Sequence, residues 1–359
     1  GWSYWVTWVS YVPSEMIAAG IIMNGFFPEI GTIWWAVFFG LVVTMINLFR
    51  VDKFGESEFW LSLIKVSALV AFSVVALLIC FGLVGGEGYI GTRILLGSGG
   101  FAPHGCASIA LTMVIILVNF QGTEIIGLAA GETADPARSI PTAVRNITWR
   151  IIALYIVPIT LLISIFPWDH ASLSESVFAA ALAEHGFTEL AAVFSLVVLT
   201  AAISCSNSGL YGAARAVHAL ATMGMAPRVL AGLSSQGVPS RAIYASILFC
   251  WGVIGIYAVN PDAALYTYLL ALSGFSGAVA WISICWSQYR RRRKLEAEGQ
   301  VSLLRYRMPF FPYVTLFGIW AQVCCLAFMF FVPELRSALY LGVPLLIVPM
   351  ILYRFLRYK

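Results

Sequence analysis

The chain has 359 residues, of which 60% are hydrophobic and 11% charged, and its mean hydropathy is +0.89. A soluble domain carries about a quarter charged residues, so 21 basic and 17 acidic side chains cannot cover a soluble surface of this size, and the solvent is lipid. The net charge of +4 excludes a strongly acidic chain, and its distribution argues against a nucleic-acid partner.

The first predicted element is already apolar and aromatic at Gly1-Trp2-Ser3-Tyr4-Trp5, without an initiator Met or a charged leader. The expectation is a chain whose numbering starts inside a longer protein. Residues 1–27 show no signal peptide, lacking both a basic start and a small-residue cleavage site. A spanning helix needs about 20 mostly apolar residues, because lipid leaves every backbone polar group to be satisfied within the segment. Ten stretches meet that test, at 2–26, 31–49, 59–83, 106–130, 147–166, 190–220, 242–259, 263–286, 312–332 and 335–355. Short polar or Gly/Pro-rich links separate them, which predicts an all-α integral membrane protein with ten transmembrane helices.

Lys and Arg mark the cytoplasmic side of short loops. With the first residue cytoplasmic, the inside loops and tail hold 18 of the 21 basic residues, including Arg50, Arg138, Arg145, Arg241, the run Arg290 to Lys294, and Arg354. The outside loops hold Arg93 and Arg336, and Lys65 lies inside a span. The alternation holds through every loop and places both ends in the cytoplasm. Arg290 to Lys294 reads as a topology anchor in preference to a nucleic-acid or anionic-lipid site. Trp34, Trp35, Trp60, Trp168 and Trp286 fall near span ends, where amphipathic rings favour the interface.

Ionisable groups inside spans cost about 2.5–3.5 kcal/mol on insertion scales, so each is a functional candidate. Glu15 follows Pro13 in the first span, Lys65 lies one to two turns into the third, and Glu124 lies well inside the fourth. Glu15 has an alternative as a carboxyl pairing with a neighbouring helix, and Lys65 as a side chain snorkelling to the cytoplasmic face. Glu124 is too deep for that. It closes the run Asn119-Phe120-Gln121-Gly122-Thr123-Glu124, in which glycine and polar side chains weaken the helix. Unwound backbone at that depth survives where it is buried in protein or lines a wet cavity, and transporters use such breaks as substrate sites. A small-residue helix contact through Gly122 and Gly127 is the competing reading. Two further clusters, Ser204 to Gly209 and Ser273 to Gly277, read first as close-packing helix faces and second as binding groups.

Enzyme signatures are lacking. The seven cysteines form no Cys-x-x-Cys pair and read as packing residues, the four histidines are scattered, and no metal, cofactor or nucleophile constellation is expected.

The run from Phe120 through Gly122-Thr123-Glu124-Ile125-Ile126-Gly127 to Asp135-Pro136-Ala137-Arg138-Ser139-Ile140-Pro141 resembles the signature of the bacterial amino acid transporter family of the amino acid–polyamine–organocation superfamily. Gly1 to Trp5 with Glu15, Gly55-Glu56-Ser57-Glu58-Phe59-Trp60, and Asn207-Ser208-Gly209-Leu210-Tyr211 are similar to that family too, so the resemblance covers the whole chain. It implies a twelve-helix, inverted-repeat (LeuT-like) permease fold in which the first span here is the family's third helix. The chain is then a single permease domain over 1–359 that lacks the first two helices and, with them, half of the substrate site.

The resemblance implies roles as well. Phe120, Gln121, Gly122 and Thr123 would be the unwound substrate-facing segment, with Phe120 as a lid, and Glu124, Lys65 and Glu15 the proton-coupling groups. Lys65 matches a lysine that takes the place of a sodium ion in sodium-independent relatives. Removal from water disfavours the charged form of either kind of group. Trp281 to Cys285, Arg305 to Pro309 and Ala338 to Tyr340 resemble the S-methylmethionine permease branch, whose sulfonium substrate would suit the aromatic face of Phe120 or a tyrosine. The expected function is a proton-coupled amino acid importer of the bacterial inner membrane working by alternating access, its partners an amino acid, a proton and membrane lipid. A truncated, non-transporting remnant or membrane-packing subunit is the alternative, and a membrane enzyme ranks last.

Overall fold

Without water to bond their amides, long apolar runs close their backbone bonds internally, and the helix is the local way to do so. The computed structural model describes residues 1–48, 51–86, 88–97, 100, 102–128, 135–171, 176–260, 263–304 and 306–356, and contains no strand among them. In chain order the helices are α1 (Trp2–Phe26), α2 (Thr32–Leu48), α3 (Val51–Cys80), α4 (Arg93–Gly97), α5 (Gly105–Asn119), α6 (Ile125–Leu128), α7 (Pro136–Ile151) and α8 (Val157–Ile165), then α9 (Val177–Glu184), α10 (Thr188–Thr222), α11 (Ser240–Val259), α12 (Ala263–Ala297), α13 (Tyr313–Phe328) and α14 (Pro333–Leu356).

Seven helical stretches among the described residues are long and apolar enough to cross a membrane: Trp2–Phe26, Glu58–Cys80, Arg138–Ile165, Thr188–Thr222, Ser240–Val259, Leu265–Ala297 and Tyr313–Phe331. Thr32–Leu48 and Ala338–Val348 are shorter apolar helices on stretches expected to span. The stretch expected at 106–130 yields only 15 helical residues in α5 before the chain unwinds. Large apolar side chains face outward along these helices, with Trp34, Leu248 and Val259 each more than two-thirds exposed, as lipid contact requires.

Prolines shape two helices. Pro13 sits inside α1 and has no N–H to offer the Val9 carbonyl a turn below; the buried Cys250 thiol lies 3.8 Å from that oxygen and donates to it instead. Pro158 likewise cannot serve Leu154, and the turn before it, Ile152–Ile156, widens into a π-helix that joins α7 to α8 as one rod. α12 outruns its expected end at 286 and carries the basic run on helix, where Arg292 pairs with Glu296 at 3.1 Å and Lys294 with Glu298 at 3.7 Å.

The chain divides into two units. The first comprises Gly1–Ser14, Ala107–Arg145 and Gly209–Lys359. Its core joins Ala271 and Phe275 of α12 to Met329 and to Leu335, Ala338 and Leu339 of α14, with the Phe275 ring lying directly on the Gly342 backbone. The second comprises Glu15–Cys106 and Asn146–Ser208. There Phe72 and Ile79 of α3 pack with Leu162 and Ile165 of α8, Leu182 of α9 and Phe194 of α10, and Phe72 meets the Phe178 ring edge-on at 4.9 Å. α1 and α2 approach closely at Gly20, where a Cβ would stand 2.5 Å from the Thr32 carbonyl oxygen.

Candidate functional site

In the first unit, α5 ends at Asn119, and residues 120–124 form turns before the short α6. Gly122 has φ +107°, a backbone state that side-chain-bearing residues rarely adopt. The break closes its backbone through turn bonds, Phe120 N–H to the Leu117 carbonyl at 3.2 Å and Ile125 N–H to the Gly122 carbonyl at 3.1 Å. The half-buried Glu124 carboxylate reaches back over the turn and accepts the Gly122 N–H on both oxygens, at 3.1 and 3.0 Å. Trp281 of α12 donates its indole N–H to Glu124 Oε2 at 3.2 Å. The Tyr4 hydroxyl of α1 also approaches this carboxylate, without closing a standard hydrogen bond.

Neighbouring positions are cut to fit this break. The Gln121 amide occupies the place where a Cβ on Gly277 of α12 would stand. A Cβ on Gly122 would lie 3.7 Å from the Trp8 ring, and one on Gly209 of α10 would come within 2.8 Å of that indole. Ser3 donates to the Ser276 carbonyl, tying α1 to α12. Around these contacts the Ser273 and Ser276 hydroxyls and the Trp8 indole N–H are buried and lack hydrogen-bond partners among the described residues. Buried polar atoms rarely go unpaired. The arrangement is a carboxylate on unwound backbone, ringed by aromatic edges and spare donors. Phe120 and Gln121 are half-buried and Thr123 is exposed.

The second unit holds the other two expected proton-coupling residues. Glu15 is half-buried on α1, just past Pro13. Lys65 of α3 donates to the Ser204 hydroxyl at 2.7 Å, and that hydroxyl donates to Glu58 Oε1. Asn207 donates to Glu58 Oε2 at 2.9 Å, and Asn47 of α2 to the Asn207 side-chain oxygen at 2.8 Å. Thus Ser204 and Asn207, read first as packing residues, bind a charged pair, while the close-packing role falls to Gly209 in the other unit.

Several functional candidates escaped sequence reasoning. Glu58 lies one position outside the stretch expected to start at 59, so it was not counted among membrane-embedded charges, although Glu58 and Lys65 share a face of α3 at a spacing of two turns. Tyr4 and Trp281 left no local signal, since nothing in their own segments points to position 124. Among the described residues no group of three or more His, Cys, Asp or Glu could hold a metal ion. Within the signature run, residues 129–134 lie outside the described residues.

Comparison with known proteins places the chain as a whole. The amino acid permease family profile matches residues 1–358. Amino-acid permease RocC of Bacillus subtilis is 36% identical over 97% of this chain and 74% of its own length. A gamma-aminobutyric acid permease of the same organism is 36% identical over 95% of this chain and 72% of its own length. The lysine-specific permease LysP of Escherichia coli is 38% identical over 91% and 68% respectively.

Proposed function

The chain belongs to the amino acid permease family, and on that premise we propose that it is a proton-coupled importer of an amino acid, working by alternating access in a bacterial inner membrane. It is a multi-pass membrane protein, and its relatives are named as permeases. The reading takes ten spans in this chain, both of its ends cytoplasmic, arranged as part of a LeuT-like inverted repeat within a single permease domain.

The observation that carries it is the unwound segment 120–124 with the Glu124 carboxylate held by Gly122 and Trp281. Unpaired donors at Ser273, Ser276 and Trp8 suit the carboxylate and polar groups of an amino acid. Phe120, Gln121, Gly122 and Thr123 face the substrate. Glu124, Lys65 and Glu15 take and release the proton, each being an ionisable group where a charge is costly. The resemblance points to S-methylmethionine as the substrate, and the relatives add lysine and γ-aminobutyric acid as amino acids to compare.

Uptake into proteoliposomes of the purified protein, with these three compounds labelled and an inward proton gradient imposed, is the test. Concentrative uptake of one of them that collapses with the gradient is expected. Uptake indifferent to the gradient overturns proton coupling, and no uptake of any amino acid overturns the transport reading.

A further inference from the structure

Lys65 does not meet Glu58 directly; the Ser204 hydroxyl stands between them, accepting from Lys65 Nζ at 2.7 Å and donating to Glu58 Oε1. The second carboxylate oxygen is fixed by Asn207 at 2.9 Å, and Asn207 is fixed in turn by Asn47 at 2.8 Å. Ser204, Asn207 and Asn47 are at most 5% exposed, so the chain of donors is shut away from competing water. A salt bridge that served only as an anchor would gain most by direct, charge-assisted contact. Here an alcohol is interposed with its single proton aimed at the carboxylate. That is the polarity of a proton wire.

We propose that Glu58 is the proton partner of Lys65, reached through the Ser204 hydroxyl. The proposal rests on the transport reading and adds to it a group that reading does not contain. In the forward step the Lys65 ammonium gives one proton to Ser204 Oγ, breaking an N–H bond and forming an O–H bond. Ser204 releases its own hydroxyl proton to Glu58 Oε1. Ser204 ends as it began, Lys65 becomes a neutral amine, Glu58 becomes a neutral carboxylic acid, and no electrons change hands. The half-buried ion pair becomes a half-buried neutral pair, which lessens the desolvation penalty of two charges, while the net charge of the cluster stays constant. Asn207 and Asn47 are positioning residues that hold the carboxylate in line.

Among the described residues, the segments packed against α3 bring few other titratable groups: Thr32–Leu48 and Val157–Ile165 carry none, Ile152–Ile156 carries Tyr155, Val177–Glu184 carries Glu184, and the second unit's part of α10 carries Glu189 and Cys205. On α3 itself the remaining charged residues are Asp52, Lys53 and Glu56.

The test separates net proton movement from substrate movement. Proteoliposomes of the purified protein are assayed with labelled S-methylmethionine, L-lysine or γ-aminobutyric acid, both for accumulation under a proton gradient and for counterflow, which exchanges substrate without net proton transport. Glu58→Gln and Ser204→Ala are expected to lose about tenfold or more of gradient-driven accumulation while counterflow stays within about twofold, and Ser204→Thr, which keeps the hydroxyl, is expected to retain accumulation. Should Glu58→Gln fail to fold, Glu58→Asp and the two Ser204 variants carry the comparison. Variants that accumulate like the unaltered protein overturn the wire and leave the transport reading standing. Equal loss of accumulation and counterflow also overturns it, by making Glu58 a structural residue. An unaltered protein that neither accumulates nor exchanges any of the three refutes the transport reading, and the wire falls with it.

Discussion

Glu124 holds its own turn closed, because its carboxylate accepts the Gly122 backbone amide on both oxygens, and the Trp281 indole pins the same carboxylate from α12. Replacing it with Gln keeps the shape and removes the charge and the exchangeable proton. Glu124→Gln is therefore expected to abolish proton-driven accumulation, a loss of at least about tenfold, while weakening substrate binding by less than about threefold. Accumulation against the gradient, paired with equilibrium binding on the same preparation, checks this; unchanged accumulation makes Glu124 structural. Gln121 and Gly277 are a second pair that act together, since the amide fills the space of a missing Cβ. Gly277→Ala is expected to cost about 1–3 kcal/mol by overpacking, and to cost far less in a Gln121→Ala background. A double-mutant cycle on melting in detergent measures that coupling, expected at about 0.5–3 kcal/mol for touching residues.

At the scale of elements, composition told where helices lie but not how they are repaired. Pro13 was legible in the first span, yet the donor that answers the stranded Val9 carbonyl is Cys250, 241 positions away. A cysteine in an apolar run carries no sign of such a task. The break at 120–124 was legible because glycine and polar residues interrupt an apolar run, whereas its partners Tyr4, Trp8 and Trp281 were not, being brought there by packing between distant segments. Ser204 and Asn207 show the same limit, because small polar residues in a span satisfy a packing face and a hydrogen-bond network equally well until the opposite helix is known. α10 makes the distinction sharp: within it, Gly209 receives the Trp8 indole and Ser204 receives Lys65. Gly209→Val, which drives side-chain atoms into Trp8 and Val12, is expected to destabilise the protein by about 1–3 kcal/mol, read as a lower melting temperature. A melting point unchanged by that substitution means that the α1–α10 contact yields freely.

For the whole molecule, the decisive sequence signal was the placement of charge. Positive residues sort to alternate expected loops, 18 against two, and the proposed orientation rests on that sorting. The number of spans was less legible, since helix length alone identifies seven of the described helices as long and apolar enough to cross. The remainder include α2, which is short at 17 residues, and the broken α5–α6 stretch. Orientation has its own measurement. In a cysteine-free background, Asp169→Cys is expected to react with a membrane-impermeant maleimide from the periplasmic face and Glu298→Cys only from the cytoplasmic face. Labelling of both from one face overturns the alternation.

The doubled acceptor at Glu124 gives one backbone atom an unusual status. A charged acceptor holds a donor by about 1.5–3 kcal/mol, and here the Gly122 amide is a donor held by both oxygens. Whatever neutralises or withdraws the carboxylate frees this N–H to trade its hydrogen for deuterium. Deuterium uptake at Gly122 is thus a clock for the state of Glu124 that needs no substrate. It is expected to run about ten- to a hundredfold faster in Glu124→Gln, because each 1.4 kcal/mol of lost protection is a factor of ten in the opening equilibrium.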